Sequence, residues 1–288
     1  MVSQFFAQYI LNKGLLTPAQ VQEALESRRT AQPKLGVTAI NMGYLTAEQV
    51  KKIHKLQHRI DKRFGEIALI EGYLSHEQLS NVLANQENDN FRFGQALVDK
   101  GFLSLEALED VLAEYKQAAE LEQPADLILI KEWISHYLSF PREDDNAVLY
   151  CDYMALFLRA IVRFLDACPL LVASSEEKSE ERWAVSQSMT GDIDLHSCLL
   201  IDDSVLLEIA KRYSCEQLLE IDELALDSVG EFLNVTNGLF CINLCHLGLD
   251  CELHPQMIAR ESATVQSPSW SVTVDIGFGT IELVLTRE

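Results

Sequence analysis

Ile221-Asp-Glu-Leu-Ala-Leu-Asp-Ser-Val-Gly-Glu-Phe-Leu-Asn-Val-Thr-Asn-Gly-Leu-Phe-Cys-Ile-Asn-Leu-Cys-His-Leu247 decides how the back half of the chain is read. Leu224, Leu226, Val229, Phe232, Leu233, Val235, Leu239, Phe240, Ile242 and Leu244 recur at helical spacing and cover much of a helix circumference. The remaining stripe is Asp227, Gly230, Glu231, Asn234, Asn237, Gly238 and Cys241, three or four residues apart. It carries acid, amide and small side chains but no base, and no Lys or Arg stands between Tyr213 and Ala259. An ordinary solvated face has mixed charge and long side chains. This stripe reads instead as a face that another protein can approach closely. Glu231 and Asn234, at i and i+3, point the same way along it.

The flanking sequence places this helix in an α+β unit. Ala147 to Asp166 has the apolar density of a buried helix. Pro169 to Ala173, Arg182 to Met189 and Asp192 to Ile201 read as strands, with a turn at Thr190-Gly191. Ser204 to Tyr213 is a short helix capped by Asp202 or Asp203. Trp270 to Ile276 and Thr280 to Thr286 form a hairpin around Gly277-Phe-Gly279. Helices beside an antiparallel sheet make this α+β. Upstream, Ala125 to Phe140 reads as an amphipathic helix and residues 141–146 as a loop.

The front half is a repeat. Gly14, Gly43, Gly72 and Gly101 are 29 residues apart, in the settings GLLT, GYLT, GYLS and GFLS. In the last three copies another Gly stands seven residues earlier (Gly36, Gly65, Gly94), preceded by Lys34-Leu35, Arg63-Phe64 or Arg92-Phe93. Each copy reads as a helical hairpin. The first helix ends at the later Gly, which fits a left-handed C′ position. The second opens on a capping box: Thr17 with Gln20, Thr46 with Gln49, Ser75 with Gln78. Ser104 caps the fourth, but Ala107 breaks its box. One hairpin cannot bury its own apolar face, so neighbours are expected to stack. The resulting division is an all-α array of four repeats over residues 1–117, a linker with a helix over 118–146, and the α+β unit over 147–288.

Composition limits the function classes. The 288 residues carry a net charge of −21, and 48% are apolar, which excludes a disordered chain. Residues 1–118 are near neutral, whereas 119–288 hold 10 Lys/Arg against 30 Asp/Glu. Phosphate polymers need basic side chains to displace counterions, so no nucleic-acid polymer is expected there. A partner with a cationic face is. The start lacks a basic n-region and cleavage site, so no signal peptide is expected. The greasiest stretch, Met154 to Ala173, is interrupted by Arg159, Arg163 and Asp166, so no membrane insertion is expected. Seven Cys without an export signal point to reduced thiols and a cytoplasmic location. Cys241, Cys245, His246, Cys251 and His254 do not follow a common structural zinc spacing, and the cysteines are read as structural thiols, with no metal expected.

Val229-Gly-Glu-Phe-Leu-Asn234, Thr236-Asn-Gly238, His246-Leu-Gly248 and Pro255, with Asp227 four residues before Glu231, together resemble the CheC/CheX/FliY chemotaxis phosphatases. Only one helix carries the Glu-x2-Asn pair within this flanking sequence, where the CheC branch carries two, and this points to the CheX branch. The resemblance covers 147–288. It implies that the substrate is the aspartyl phosphate of a CheY-like receiver domain, whose own Mg²⁺ and Lys lie beside the phosphoryl group. It also implies that Glu231 pairs with that Lys, that Asn234 orients the attacking water, that Asp227 supports them, and that the protein is a homodimer. No cofactor of the chain's own is implied.

The repeats resemble the MshEN domain of type II secretion and pilus ATPases, whose motif is R-L-G-x2-L-x3-G-x6-L-x3-L-x2-Q. Copy three matches at Arg63, Phe64, Gly65, Gly72, Leu79, Leu83 and Gln86. Copy one has Phe5-Phe6-Ala7 where Arg-Leu-Gly belongs, and copy four has Tyr115 in place of Gln. Members with intact motifs bind cyclic di-GMP. The resemblance therefore nominates Lys34, Gly36, Gln57, Arg63, Gly65, Gln86, Arg92 and Gly94 as nucleotide-binding residues. Two readings stay open: a receiver phosphatase with a regulatory front module, or a non-catalytic adaptor or cyclic di-GMP sensor that uses the back unit for binding alone.

Overall fold

In a computed structural model, residues 2–57, 59–60, 62–86, 89–120, 147–173, 181–261 and 270–287 are described. The chain divides into two compact units, Met1–Asp126 and Leu127–Glu288. The helix expected over 125–140 and the loop over 141–146 lie outside the described residues.

The first unit is built from helical hairpins: α1 (Val2–Asn12) and α2 (Pro18–Ser27), α3 (Leu35–Asn41) and α4 (Ala47–Gln57), α5 (Phe64–Ile70) and α6 (His76–Ala84), α7 (Asp89–Asp99) and α8 (Leu105–Glu120). The four repeat glycines that close the first helices have φ of +66°, +75°, +71° and +71°. Past each one, the next amide reaches back to the last helical turn: Leu15 to the Ile10 carbonyl, Tyr44 to Ala39, Tyr73 to Ala68 and Phe102 to Leu97. These are Schellman closures, and a Cβ in the left-handed region would strain each one. The capping boxes form as read. Gln20, Gln49 and Gln78 each accept from the cap amide, while Thr17, Thr46 and Ser75 accept in return. Ser104 accepts from Ala107 without a reciprocal bond.

The repeats do not simply stack in sequence order. Helix α7 of copy four packs against α1 and α2 of copy one and against α3 of copy two. The reason lies in the residues where copies one and four depart from the motif. Phe6 meets Tyr115 at 5.2 Å and Phe93 at 6.1 Å between ring centroids, and Tyr9 meets Tyr115 at 5.4 Å. Both end copies thereby bury apolar faces that a linear array would leave exposed.

The second unit has the α+β architecture. Helix α9 (Ala147–Leu165) precedes β1 (Leu170–Val172), β2 (Arg182–Gly191), β3 (Leu195–Ile201), α10 (Asp203–Ser214), α11 (Glu223–His246), β4 (Cys251–Leu253), β5 (Met257–Glu261), β6 (Trp270–Asp275) and β7 (Thr280–Thr286). The seven strands form one antiparallel sheet in the order β1-β6-β7-β3-β2-β4, with β5 also paired to β2. Strands β4 and β5, which the sequence did not suggest, share one edge of β2. They lie against its two ends, with the turn His254–Gln256 between them. The first hairpin turns at 192–194, one step beyond the expected Thr190-Gly191. Strand pairing with β4 carries β2 to Gly191, whose φ is +143° and whose Cβ position lies 2.3 Å from the Asp250 carbonyl oxygen.

Helix α11 lies over β2, β4 and β5 and against α9 and α10. Phe232 packs between Phe157 and Tyr213, and Phe240 stands edge-on to Tyr153 at 5.0 Å. Ala184, Leu200 and Val284 form a second small core on the opposite sheet face. No described helix is long and apolar enough to cross a membrane.

Candidate active site

Helix α11 begins at Asp222, whose carboxylate accepts from the Ala225 amide at 2.9 Å. Buried Ala225, Val229, Phe232, Leu233, Phe240 and Leu244 clamp it to the rest of the unit. Gly230 faces β5, and a Cβ there would lie 3.3 Å from Ile258 Cδ1, so the absent side chain lets strand and helix close.

The polar stripe does not behave as one face. Asp227 and Glu231 are exposed and Asn234 is half-buried, but Gly230 and Cys241 are buried and Asn237 is fully enclosed. The stripe therefore splits: Asp227, Glu231 and Asn234 border solvent, while Gly230, Asn237 and Cys241 are buried. The sheet reaches only part of the helix circumference, and an amide can enter the core where the strands supply partners.

Those partners come from β2, β3 and α9. Asn237 Nδ2 donates to Gln187 Oε1 at 2.8 Å and to Ser197 Oγ at 3.0 Å. Asn237 Oδ1 accepts from the Tyr153 hydroxyl at 2.5 Å and from Ser197 Oγ at 3.3 Å. Gln187 Nε2 donates twice, to the His254 carbonyl and to Asn234 Oδ1, both at 2.8 Å. Asn234 Nδ2 then donates to Glu231 Oε2 at 3.1 Å. A continuous line of hydrogen bonds thus runs from the interior of the unit to the exposed Glu231. Burial pushes the Tyr153 phenol far above its usual value. It remains a donor across the whole working range of pH. Tyr213, beside the pair, is also raised, first by burial and then by the charge of Glu231.

The structure thus brings together Glu231 and Asn234, with exposed Asp227 one turn before Glu231 on the same helix. Gln187, Asn237, Ser197 and Tyr153 were not singled out as a group. Their one signal is Gln187, an amide at a strand position where Val185 and Met189, two residues to either side, are fully buried.

Residues 184–278 match the family model of the chemotaxis phosphatase CheX. The matched segment runs from within β2 to the turn after β6 and includes Gln187, Glu231, Asn234 and Asn237. Similar solved structures include CheX from Desulfovibrio desulfuricans, at 13% identity and TM-score 0.40, and CheX from Vibrio vulnificus, at 15% and 0.41. Another is the CheX–CheY–BeF3–Mg complex from Borrelia burgdorferi, at 14% and 0.41. In each case 47% of this chain and 96% of the other is covered. No curated protein matches the chain.

In the front unit the nominated residues are held by the repeats themselves. A Cβ on Gly36 would lie 2.8 Å from Val50 Cγ1, and one on Gly65 2.9 Å from Leu79 Cδ1, so both glycines allow the two helices of a hairpin to touch. A Cβ on Gly94 would lie 2.9 Å from Asn41 Nδ2. Lys34 Nζ bonds Asp99 at 3.0 Å, and Gln86 Nε2 donates to the Pro33 carbonyl at 2.8 Å. The Arg63 amide donates to Glu66, Gln57 Oε1 contacts His54, and Arg92 is half-buried on α7. Gly36, Gln57, Gly65, Arg92 and Gly94 lie on four different helices, Lys34 and Arg63 cap α3 and α5, and Gln86 follows α6. Among the described residues no group of three His, Cys, Asp or Glu side chains is placed to hold a metal ion.

Proposed function

We propose that the unit over 147–288 hydrolyses the aspartyl phosphate of a CheY-like receiver domain. One observation carries the reading: Glu231 and Asn234 share an exposed helix face, hydrogen-bonded to each other, with the amide oxygen anchored from inside. The CheX match over the same segment supports it.

The receiver's active face already holds Mg²⁺ and a Lys around its acyl phosphate, so the chain need only bind that face and place a water. Glu231, exposed and acidic in a stretch without basic residues, pairs with the receiver Lys and sets the register. That pairing draws Glu231 off Asn234 Nδ2. The freed amide then holds a water in line with phosphorus. Water oxygen bonds to phosphorus, the bond to the receiver's aspartate oxygen breaks, and inorganic phosphate leaves with the water proton on a phosphate oxygen. The chain contributes position and orientation rather than a base.

The test is the decay of phosphorylated receivers with and without the protein. Acceleration by the native chain that falls at least about 100-fold in Asn234→Ala and in Glu231→Ala is the expected result. Equal decay with either variant removes these residues from the reaction.

For the front unit we propose a regulatory contact module. The packing roles of Gly36 and Gly65 and the aromatic seal between copies one and four support it. Titration calorimetry with cyclic di-GMP is the check. Micromolar binding lost in Arg63→Ala combined with Arg92→Ala would restore the nucleotide reading.

A further inference from the structure

We propose that Gln187 is a positioning residue for Asn234: with Asn237 and Tyr153 behind it, it holds the Asn234 amide in one orientation, oxygen inward and nitrogen toward the outer face. The proposal rests on the phosphatase reading for its kinetic consequence, but not for its geometry.

The orientation follows from donors and acceptors counted from a fixed point. The His254 backbone carbonyl can only accept, so the Gln187 atom 2.8 Å away is its nitrogen. That places Gln187 Oε1 toward Asn237 Nδ2, and Asn237 Oδ1 toward the Tyr153 hydroxyl, which donates. The second proton on Gln187 Nε2 is aimed at Asn234. Were Asn234 turned over, two N–H groups would face each other in a site where Gln187 is 2% exposed and Asn237 fully buried. A mismatched donor pair between enclosed Gln187 and half-buried Asn234 would cost the Gln187 N–H its partner. Asn234 therefore presents Nδ2 to Glu231 and the approaching partner before any partner arrives. Each link is polar and enclosed, and together they connect three separate elements, β2, α9 and α11. Packing alone would be served as well by apolar side chains. What this line supplies in addition is a fixed amide on the exposed face, which is what in-line placement of a water requires.

The experiment compares native chain, Gln187→Met and Tyr153→Phe. Methionine keeps length and volume but cannot donate. Tyr153→Phe removes one hydroxyl well behind the face and is the milder change if Gln187→Met does not fold. Turnover of a phosphorylated receiver gives kcat and KM. Binding of the receiver loaded with beryllofluoride and Mg²⁺ gives the affinity. Side-chain amide signals of the ¹⁵N-Asn-labelled chain, assigned with Asn234→Ala, report the amide itself. Gln187→Met is expected to lower kcat about 10- to 100-fold with affinity within about twofold, and to shift or broaden the Asn234 pair of signals. Tyr153→Phe is expected to perturb those signals in the same sense, by less. Unchanged Asn234 signals in the variants that fold overturn the proposal, as does native kcat in Gln187→Met where Asn234→Ala is inactive. If Asn234→Ala retains full activity, the phosphatase reading fails instead, and the amide signals alone decide whether Gln187 sets the orientation.

Discussion

Arg182 and Glu282 offer a measurement of how the sheet is held together. They stand on β2 and β7 with β3 between them, since Ala184 pairs with Leu200 and Leu200 with Glu282. Arg182 Nη1 reaches over β3 to Glu282 Oε2 at 2.8 Å, and the two side chains are 9% and 5% exposed. Arg182 Nε and Nη2 find no hydrogen-bond partner among the described residues. Glu282→Leu would remove the enclosed guanidinium's ion-pair partner among the described residues, which costs about 3–5 kcal/mol. Restoring charge balance with Arg182→Met in the same chain should recover most of that loss, because desolvating a buried pair offsets much of its attraction. For a unit of this size, about 2–4 °C per kcal/mol translates the single change into a drop of roughly 6–20 °C. The assay is convenient because Trp133, Trp183 and Trp270 all fall within Leu127–Glu288, so tryptophan fluorescence follows that unit alone. Urea and thermal unfolding of the native chain, both single variants and the double variant complete a cycle. A loss below about 1 kcal/mol in Glu282→Leu would refute the reasoning, since the pair would then behave as a solvated surface bridge.

Two further outcomes follow from the geometry. Gly72 has φ +71° with nothing near its Cβ position, so Gly72→Ala should cost about 1–2 kcal/mol from backbone strain alone. Gly72→Asn should cost less, because Asn tolerates that region, and far-UV circular dichroism on urea titration would separate the two. Burial, followed by the neighbouring Cys251 and Cys245, raises the Cys241 thiol from 9.0 to about 11. The unfolded chain therefore releases this proton first. The corresponding stability is present below pH 9 and is lost as pH rises toward 11. Unfolding midpoints at pH 8 and 10.5 should fall more for the native chain than for Cys241→Ala, and equal falls would contradict it.

Local signals in the sequence carried the repeat. A left-handed C′ residue and a reciprocal cap are set by a few neighbouring residues, and glycine spacing and Thr/Ser-x2-Gln revealed them without any tertiary information. The main strands of the second unit and its three described helices were legible for the same reason, through period and turn chemistry. Strands β4 and β5 were not. They are short, contain Cys251, Glu252, Met257 and Arg260, and exist because β2 offers them an unpaired edge.

The same division holds at the site. Glu231 and Asn234 could be read as a pair, because i and i+3 on a helix share a face whatever the helix packs against. Which part of their stripe would be exposed could not. Asn234 and Asn237 are the same residue three positions apart, yet one borders solvent and the other is enclosed, because β2 and β3 reach the helix at Asn237 with Gln187 and Ser197. The sequence by itself determined the helices, their caps and the residues sharing each face, since those depend on contacts within a few turns of chain. Only the tertiary structure decided the linear or closed arrangement of the repeats, the pairing of Arg182 with Glu282 and the orientation of the Asn234 amide. Each of these depends on which groups distant in sequence arrive to complete a hydrogen bond or an apolar face.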